Sequence, residues 1–315
     1  MTLRYLDYEA SRTVANIVVD GSANEATVLT LSHWPGAAPP AGLARDLSAQ
    51  MAFAYLDHTA GAGEPAAEVV TNNHFDQDGI VSIHALVEPE ISLAHRDLLV
   101  DVAAAGDFGT YRDRRAARAS MALSRLAAAE TTCSYSEHTD RLYTELLPRL
   151  MSIVLEPERY RELWGDEDAA LTAGEHAVAT GRVTIAERPE LDLAIVTIAD
   201  DEPARAGHRF GEGTFEGIHP MAIHNATDRF RLLVVHGRRY RYVDRYESWV
   251  QYRSRPVAPR VDMRPLAARL TELETGGGAW LAGAPDDLDP QLHHDGESTI
   301  APDALVAIVT AHLAG

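Results

Sequence analysis

Glu68-Val69-Val70-Thr71-Asn72-Asn73-His74-Phe75-Asp76-Gln77-Asp78-Gly79 reads as a short β-strand ending in His-x-Asp-x-Asp-Gly, and a helical pattern follows from Ile80 to about Val87. Alternate residues of an extended strand end point the same way, so His74, Asp76 and Asp78 can face one point. Two carboxylates and an imidazole gathered there repel or lose hydration unless a cation joins them. One imidazole among oxygen ligands suits Mn²⁺ or Mg²⁺ better than structural zinc. Gly79 is expected to let the backbone turn tightly before the helix. The plainer reading is a polar strand-to-helix turn in which Asp78 caps the next helix. The motif alone leaves both open.

The surrounding pattern sets the fold class. Segments 14–19 and 26–31 are strand-like, separated by the turn signal Asp20-Gly21-Ser22, and the second runs into Ser32-His33-Trp34-Pro35-Gly36. A helical pattern covers 46–55, and Asp46 reads as its cap. Strand, motif and helix come next, and then the apolar stretch 98–105 leading into Gly106-Asp107-Phe108. Strands and helices in alternation, with polar loops at strand ends, predict a parallel α/β sheet whose carboxyl edge gathers ligands. His33, the Asp76 cluster and Asp107 are expected at that edge. Residues 112–181 look mainly helical. From Arg182 a second, smaller α+β lobe is predicted, with a hairpin about Arg188-Pro189-Glu190, strands at 230–236, 239–243 and 249–253, and helices at 265–273 and 302–313. The expected organisation is an α/β metal-binding domain over 1–130, a helical connector over 131–181 and an α+β substrate domain over 182–315.

Composition narrows the chemistry. The 315 residues suffice for two cores. No apolar run approaches the roughly 20 residues that span a bilayer, and Met1 to Ala10 lacks a signal-peptide pattern, so the expectation is a cytoplasmic protein without a membrane partner. The single cysteine, Cys133, precludes an intramolecular disulfide or a cysteine-based zinc site. A net charge of −19 argues against tight binding of duplex nucleic acid. All 28 basic residues are arginine, which removes Schiff-base chemistry, a lysine base and a Walker-type lysine. An anionic substrate has to be held by arginine, backbone N–H groups or metal. A homo-oligomer is compatible with the sequence, which is otherwise silent on assembly.

Three matches resemble the DHH phosphoesterase superfamily, two-domain and two-metal hydrolases of phosphoester and phosphoanhydride bonds. His74-Phe75-Asp76-Gln77-Asp78-Gly79 resembles the family's first motif with His74 as an added ligand. Leu98 to Phe108 resembles the motif whose final aspartate, here Asp107, binds metal. Tyr252-Arg253-Ser254-Arg255, then Gly276-Gly277-Gly278, resembles the DHH-associated domain. The naming Asp-His-His is absent. Its nearest echo, Ser32 to Gly36, precedes the Asp-x-Asp motif instead of following it, which implies a permuted strand order. The glycine loop has Ala279-Trp280 where the family has histidine.

The resemblance implies metal ligands His74, Asp76, Asp78 and Asp107, with His33 beside them, and catalytic duty for Asp76, Asp78 and His33. Arg253 and Arg255 would clamp a phosphate, and the backbone of Gly276, Gly277 and Gly278 would meet the anion. For each residue an ordinary structural role competes: capping for the aspartates, a stacked histidine for His33, solvated arginines on a strand and a plain helix stop for the glycines. The leading expectation is an Mn²⁺- or Mg²⁺-dependent hydrolase of a small phosphorylated or nucleotide-like substrate. Its rivals are a metal-dependent hydrolase of a non-phosphate substrate and a degenerate hydrolase kept as a ligand-binding or interaction protein.

Overall fold

The computed structural model describes residues 3–59, 67–128, 132–202 and 217–315. The chain is α/β in two lobes, each built on its own sheet. One compact unit comprises residues 1–168 with 250–255, and the other comprises 169–249 with 256–315.

The first unit carries β1 (Arg4–Tyr5), α1 (Tyr8–Ser11), β2 (Asn16–Val19), β3 (Thr27–Leu31), α2 (Ser48–Thr59), β4 (Val69–Thr71), α3 (Gln77–Val87), α4 (Pro89–Ala94), α5 (Arg96–Asp107), α6 (Arg114–Ala127), α7 (Tyr135–Leu146) and α8 (Leu150–Leu155). Its four strands are parallel, in the order β1-β4-β2-β3. Every residue of β2 and β4 is buried, as central parallel strands require, while β3 at the edge is only partly covered. Ile17, Val18, Val19, Val69 and Val70 pack with Ile80 and Ile83 of α3 among the fully buried residues.

The link from β2 to β3 is unusually short for parallel neighbours, which ordinarily need a crossover of a dozen residues or more. Residues 20–26 make it without a helix. Two devices permit this. Asp20 takes a left-handed backbone, φ 47°, which reverses the chain directly after β2. Buried Asn16 then closes the return: its side chain donates to Ser11 O, Val14 O and Asn24 Oδ1 and accepts from the Thr27 hydroxyl.

The stretch 98–105 is not a strand but the body of α5, so Asp107 is the last residue of a helix and not a strand-end residue. The helices α7 and α8 belong to the first unit. Tyr143 of α7 is fully buried and donates its hydroxyl to His74 O at 2.8 Å. The long α9 (Arg161–Ala179) begins in the first unit and ends in the second.

His84, on the buried length of α3, holds Ser92 Oγ at 2.8 Å through Nδ1. Burial pushes its pKa down from the ordinary 6.5 to about 4. The unfolded chain therefore takes up the proton first as pH falls. His84's contribution is intact above about 6.5 and is lost between there and about pH 4, worth about 3 kcal/mol. The stability of wild type is expected to fall by that much more than the stability of His84→Gln between pH 7 and pH 4. Parallel stability curves for the two proteins would refute this account.

The second unit holds β5 (Val183–Arg188), β6 (Leu193–Ile198), α10 (Pro220–His224), β7 (Arg231–His236), β8 (Arg239–Asp244), α11 (Arg264–Leu273), β9 (Trp280–Ala282), β10 (Gln291–His294) and α12 (Pro302–Ala314). Its mixed sheet runs β5-β6-β7-β8-β10-β9. The expected β5–β6 hairpin forms, and Leu266, Leu270, Leu305 and Val309 of α11 and α12 pack against Leu193, Leu233, Tyr242 and Leu292 of the sheet. The expected strand at 249–253 does not form: a 3₁₀ turn occupies Tyr246–Ser248, and the chain then enters the first unit as an irregular segment. Among the described residues, no helix is long and apolar enough to cross a membrane.

Candidate metal centre

At the carboxyl edge of the parallel sheet, Asp20 is the first residue after β2, His33 follows β3, and His74 and Asp76 lie between β4 and α3. Asp78 is in the first turn of α3. The side chains converge in two sets that share Asp20: Asp20, His33, Asp78 and Asp107 form one, and Asp20, His74 and Asp76 the other. Within each set one ligand atom per residue lies within 4.8 Å of all the rest. His33 Nε2 is 3.4 Å from Asp20 Oδ1, 3.4 Å from Asp107 Oδ2 and 3.9 Å from Asp78 Oδ2. His74 Nε2 is 3.4 Å from Asp20 Oδ2 and 2.8 Å from Asp76 Oδ2. The two oxygens of one carboxylate thus face two different histidines.

Asp20 itself was legible only as a turn residue. It is fully buried, accepts from Ser48 Oγ at 2.8 Å through Oδ1, and receives no hydrogen bond at Oδ2 from the described residues. A left-handed, non-glycine residue with a buried charge is a costly combination, of order 1–3 kcal/mol for the backbone alone, and such strain gathers at working sites.

The aspartates of the motif also do capping work, but not as expected. Asp76, not Asp78, caps α3, accepting from Gly79 N at 2.7 Å through Oδ1. Asp78 caps a different helix: its two oxygens accept from Ser48 N and Ala49 N, each at 2.7 Å, at the start of α2. That fixes the Asp78 carboxylate without neutralising it. Asp46, expected to cap α2, turns away and accepts from Arg253 N at 2.5 Å, from Ser254 N at 2.9 Å and from the Ser254 hydroxyl. Its backbone carbonyl lies 2.5 Å from His33 Nδ1. With that nitrogen donating to the carbonyl, Nε2 is left to face the carboxylates, an arrangement that orients metal-binding histidines.

Gly79 is helical and makes no tight turn. Its missing Cβ serves close approach: a Cβ there would lie 2.5 Å from both Asn72 Nδ2 and Tyr143 Oη, which hydrogen-bond each other at 3.1 Å. Alanine gains about 1 kcal/mol of helix propensity, whereas overpacking a filled site costs about 1–3 kcal/mol. Gly79→Ala is expected to lower stability by up to about 2 kcal/mol in chemical denaturation; a stabilised variant would show that the contact yields freely.

Among the described residues, three of the carboxylates are short of positive charge. Asp20, Asp76 and Asp78 meet imidazoles, a hydroxyl and backbone N–H groups, and no guanidinium is within ion-pair distance of them among the described residues. Burial, reinforced by the Asp20 charge, pushes Asp78 up to about 8 and raises Asp76. Burial opposes ionisation of Asp20 too, but the two histidines hold it below the usual carboxylate range. Burial would lower His33, yet Asp20 brings it up to about 9, and His74 rises well above its ordinary value beside Asp76 and Asp20. The protons held here are what a divalent cation would displace.

Five expected ligands, His33, His74, Asp76, Asp78 and Asp107, thus come together, and Asp20 joins them. Arg253 and Arg255 lie in the first unit, where the Arg253 guanidinium donates to Gln251 Oε1 at 2.7 Å. Gly276, Gly277 and Gly278 lie in the second unit. Gly278 has φ 90°, and a Cβ on it would lie 2.7 Å from the His294 ring, so packing and backbone conformation account for glycine there.

No curated protein and no solved structure matches the chain. A family model described as a family of unknown function, DUF6687, matches residues 1–314, and the chain belongs to that family.

Proposed function

We propose that this protein is a divalent-metal-dependent hydrolase of a small phosphoester, akin to the DHH phosphoesterases with the order of its motifs changed. The observation that carries the reading is Asp20: one buried carboxylate shared by two ligand sets, each with one imidazole and otherwise oxygen donors. Such donor sets favour hard ions such as Mn²⁺ or Mg²⁺. His74, Asp76 and Asp20 would hold one ion, and His33, Asp78, Asp107 and Asp20 the other. A pair of bound cations supplies an activated water and neutralises charge developing on phosphorus.

The chain's own part is to hold these donors still. The α2 N-terminus fixes Asp78, Ser48 fixes Asp20, and the Asp46 carbonyl fixes the His33 ring. Protein purified without chelator and incubated with Mn²⁺ is expected to carry close to two ions per chain by elemental mass spectrometry, and to hydrolyse bis(4-nitrophenyl) phosphate until EDTA is added. Failure to take up any divalent ion would overturn the reading.

A further inference from the structure

Beside the metal ligands, within the first unit, lies a cavity of about 380 Å³ lined in part by Gly21, Ser22, Thr30, Trp34 and Ala38. Its walls are the chain neighbours of two ligands: Gly21 follows Asp20, and Trp34 follows His33. The Trp34 ring also lies 4.9 Å, centroid to centroid, from the ring of His74. One indole therefore lines the cavity and touches a ligand of the candidate centre.

Among the described residues the lining has no ionisable side chain. That is chemically informative, because a second phosphate or carboxylate placed against these residues would find hydroxyls and backbone but no cation from them. The volume is in the range of pockets for small organic groups, well above a single phosphate. An aromatic wall with a few hydroxyls recognises a flat, uncharged ring, and stacking tolerates many ring types because each has a π-face.

The walls are also held in place. Gln251 donates its backbone N–H to His33 O at 2.7 Å, and its side-chain amide to Trp34 O at 2.8 Å and Ala37 O at 2.7 Å. On the other side, Asn73 Oδ1 accepts from Ser22 N at 3.2 Å. A preformed wall spares an incoming ligand the entropy of ordering it.

We propose that this cavity is the subsite for an uncharged planar ring, so that the substrate is a phosphoester of a ring-bearing alcohol rather than a polyphosphate. The proposal deepens the hydrolase reading and rests on it for the word substrate; the pocket's ligand class is tested apart from metal. Adenosine (a ring without charge) and ribose 5-phosphate (charge without an aromatic ring) are titrated by ligand-observed NMR into wild type, Trp34→Phe, Trp34→Ala and Ala38→Leu, in EDTA and again with Mn²⁺, with metal content and melting temperature recorded.

In EDTA, adenosine is expected to bind wild type and Trp34→Phe in the millimolar range and to bind Trp34→Ala at least about tenfold more weakly. Ala38→Leu fills the cavity from an exposed position and is expected to weaken adenosine while leaving metal content intact, so it decides the matter if Trp34→Ala misfolds. Ribose 5-phosphate should respond to none of these substitutions without metal. Adenosine that fails to bind wild type, or that binds Ala38→Leu and a folded Trp34→Ala as well as wild type, overturns the proposal. Pocket-dependent adenosine binding in a protein that takes up no metal would keep the subsite and remove the hydrolase; metal uptake with adenosine indifferent to both substitutions would do the reverse.

Discussion

Asp20→Asn is expected to empty both candidate metal positions at once. Asparagine is nearly isosteric with aspartate and, like it, tolerates the left-handed region, so the reversal after β2 at φ 47° survives. The Ser48 hydroxyl, 2.8 Å from Oδ1, keeps an acceptor. What disappears is the only charge common to both ligand sets. Residues that merely orient metal ligands contribute about 10–100-fold in affinity, so a shared ligand should contribute more than about 100-fold at each position.

The control is Asp76→Asn, which touches only the His74 set and should leave one ion bound. Elemental mass spectrometry of the two variants after dialysis against Mn²⁺ reads the difference: near zero for Asp20→Asn and near one for Asp76→Asn. Equal metal content in Asp20→Asn and wild type would sink the bridging role. In the metal-free protein the same substitution removes the like charge that helps raise Asp78 and Asp76. The apo form of Asp20→Asn should therefore not be unfolded, and the metal result reads cleanly.

The sequence carried much of the first sheet and little of its closing details. Val69 to Thr71 and Asn16 to Val19 are short apolar runs between turn signals, and both became central strands. The His-x-Asp-x-Asp spacing brought His74 and Asp76 into one candidate set, whereas Asp78, carried by the first turn of α3, falls in the other. Asp20 was hidden because Asp-Gly-Ser is an ordinary turn signal, and its importance comes from what lies across the sheet edge: Ser48, His33 and His74, 13 to 54 residues away in sequence.

The capping pattern shows the same limit. A local reading gives Asp46 to α2 and Asp78 to α3; the folded chain gives α2 to Asp78, frees Asp46 for residues 253–254, and leaves α3 to Asp76. Asp107 needed only a change of element, since α5 delivers it to the cluster from a helix end. The pair β9 and β10 was missed because three and four residues set among Gly, Asp and Pro carry almost no periodic signal.

The reassigned Asp46 supports the second large effect. Its carboxylate, in a residue 8% exposed, accepts from two backbone N–H groups and a hydroxyl of Arg253 and Ser254. Hydrogen bonds to a charged acceptor contribute about 1.5–3 kcal/mol each, and they are not additive when they share one carboxylate. Asp46→Ala should therefore cost about 3 kcal/mol in chemical denaturation. Asp46→Asn, which keeps two lone-pair acceptor sites on one oxygen, should cost less.

Trypsin offers a second reading of the same event. The chain has no lysine, so cleavage reports arginines alone, and Pro256 protects the bond after Arg255. Release of the segment should appear as faster cutting after Arg253, mapped by mass spectrometry of the fragments. The consequence reaches the candidate centre, because Gln251, two residues before Arg253, holds the carbonyls of His33, Trp34 and Ala37. His33 keeps its Asp46 carbonyl partner in either variant, since that partner is backbone. Metal affinity should accordingly fall far less than in Asp20→Asn, while stability and protease resistance fall further. Unchanged denaturation and unchanged cutting after Arg253 in Asp46→Ala would mean that the segment is held by its own packing and not by this carboxylate.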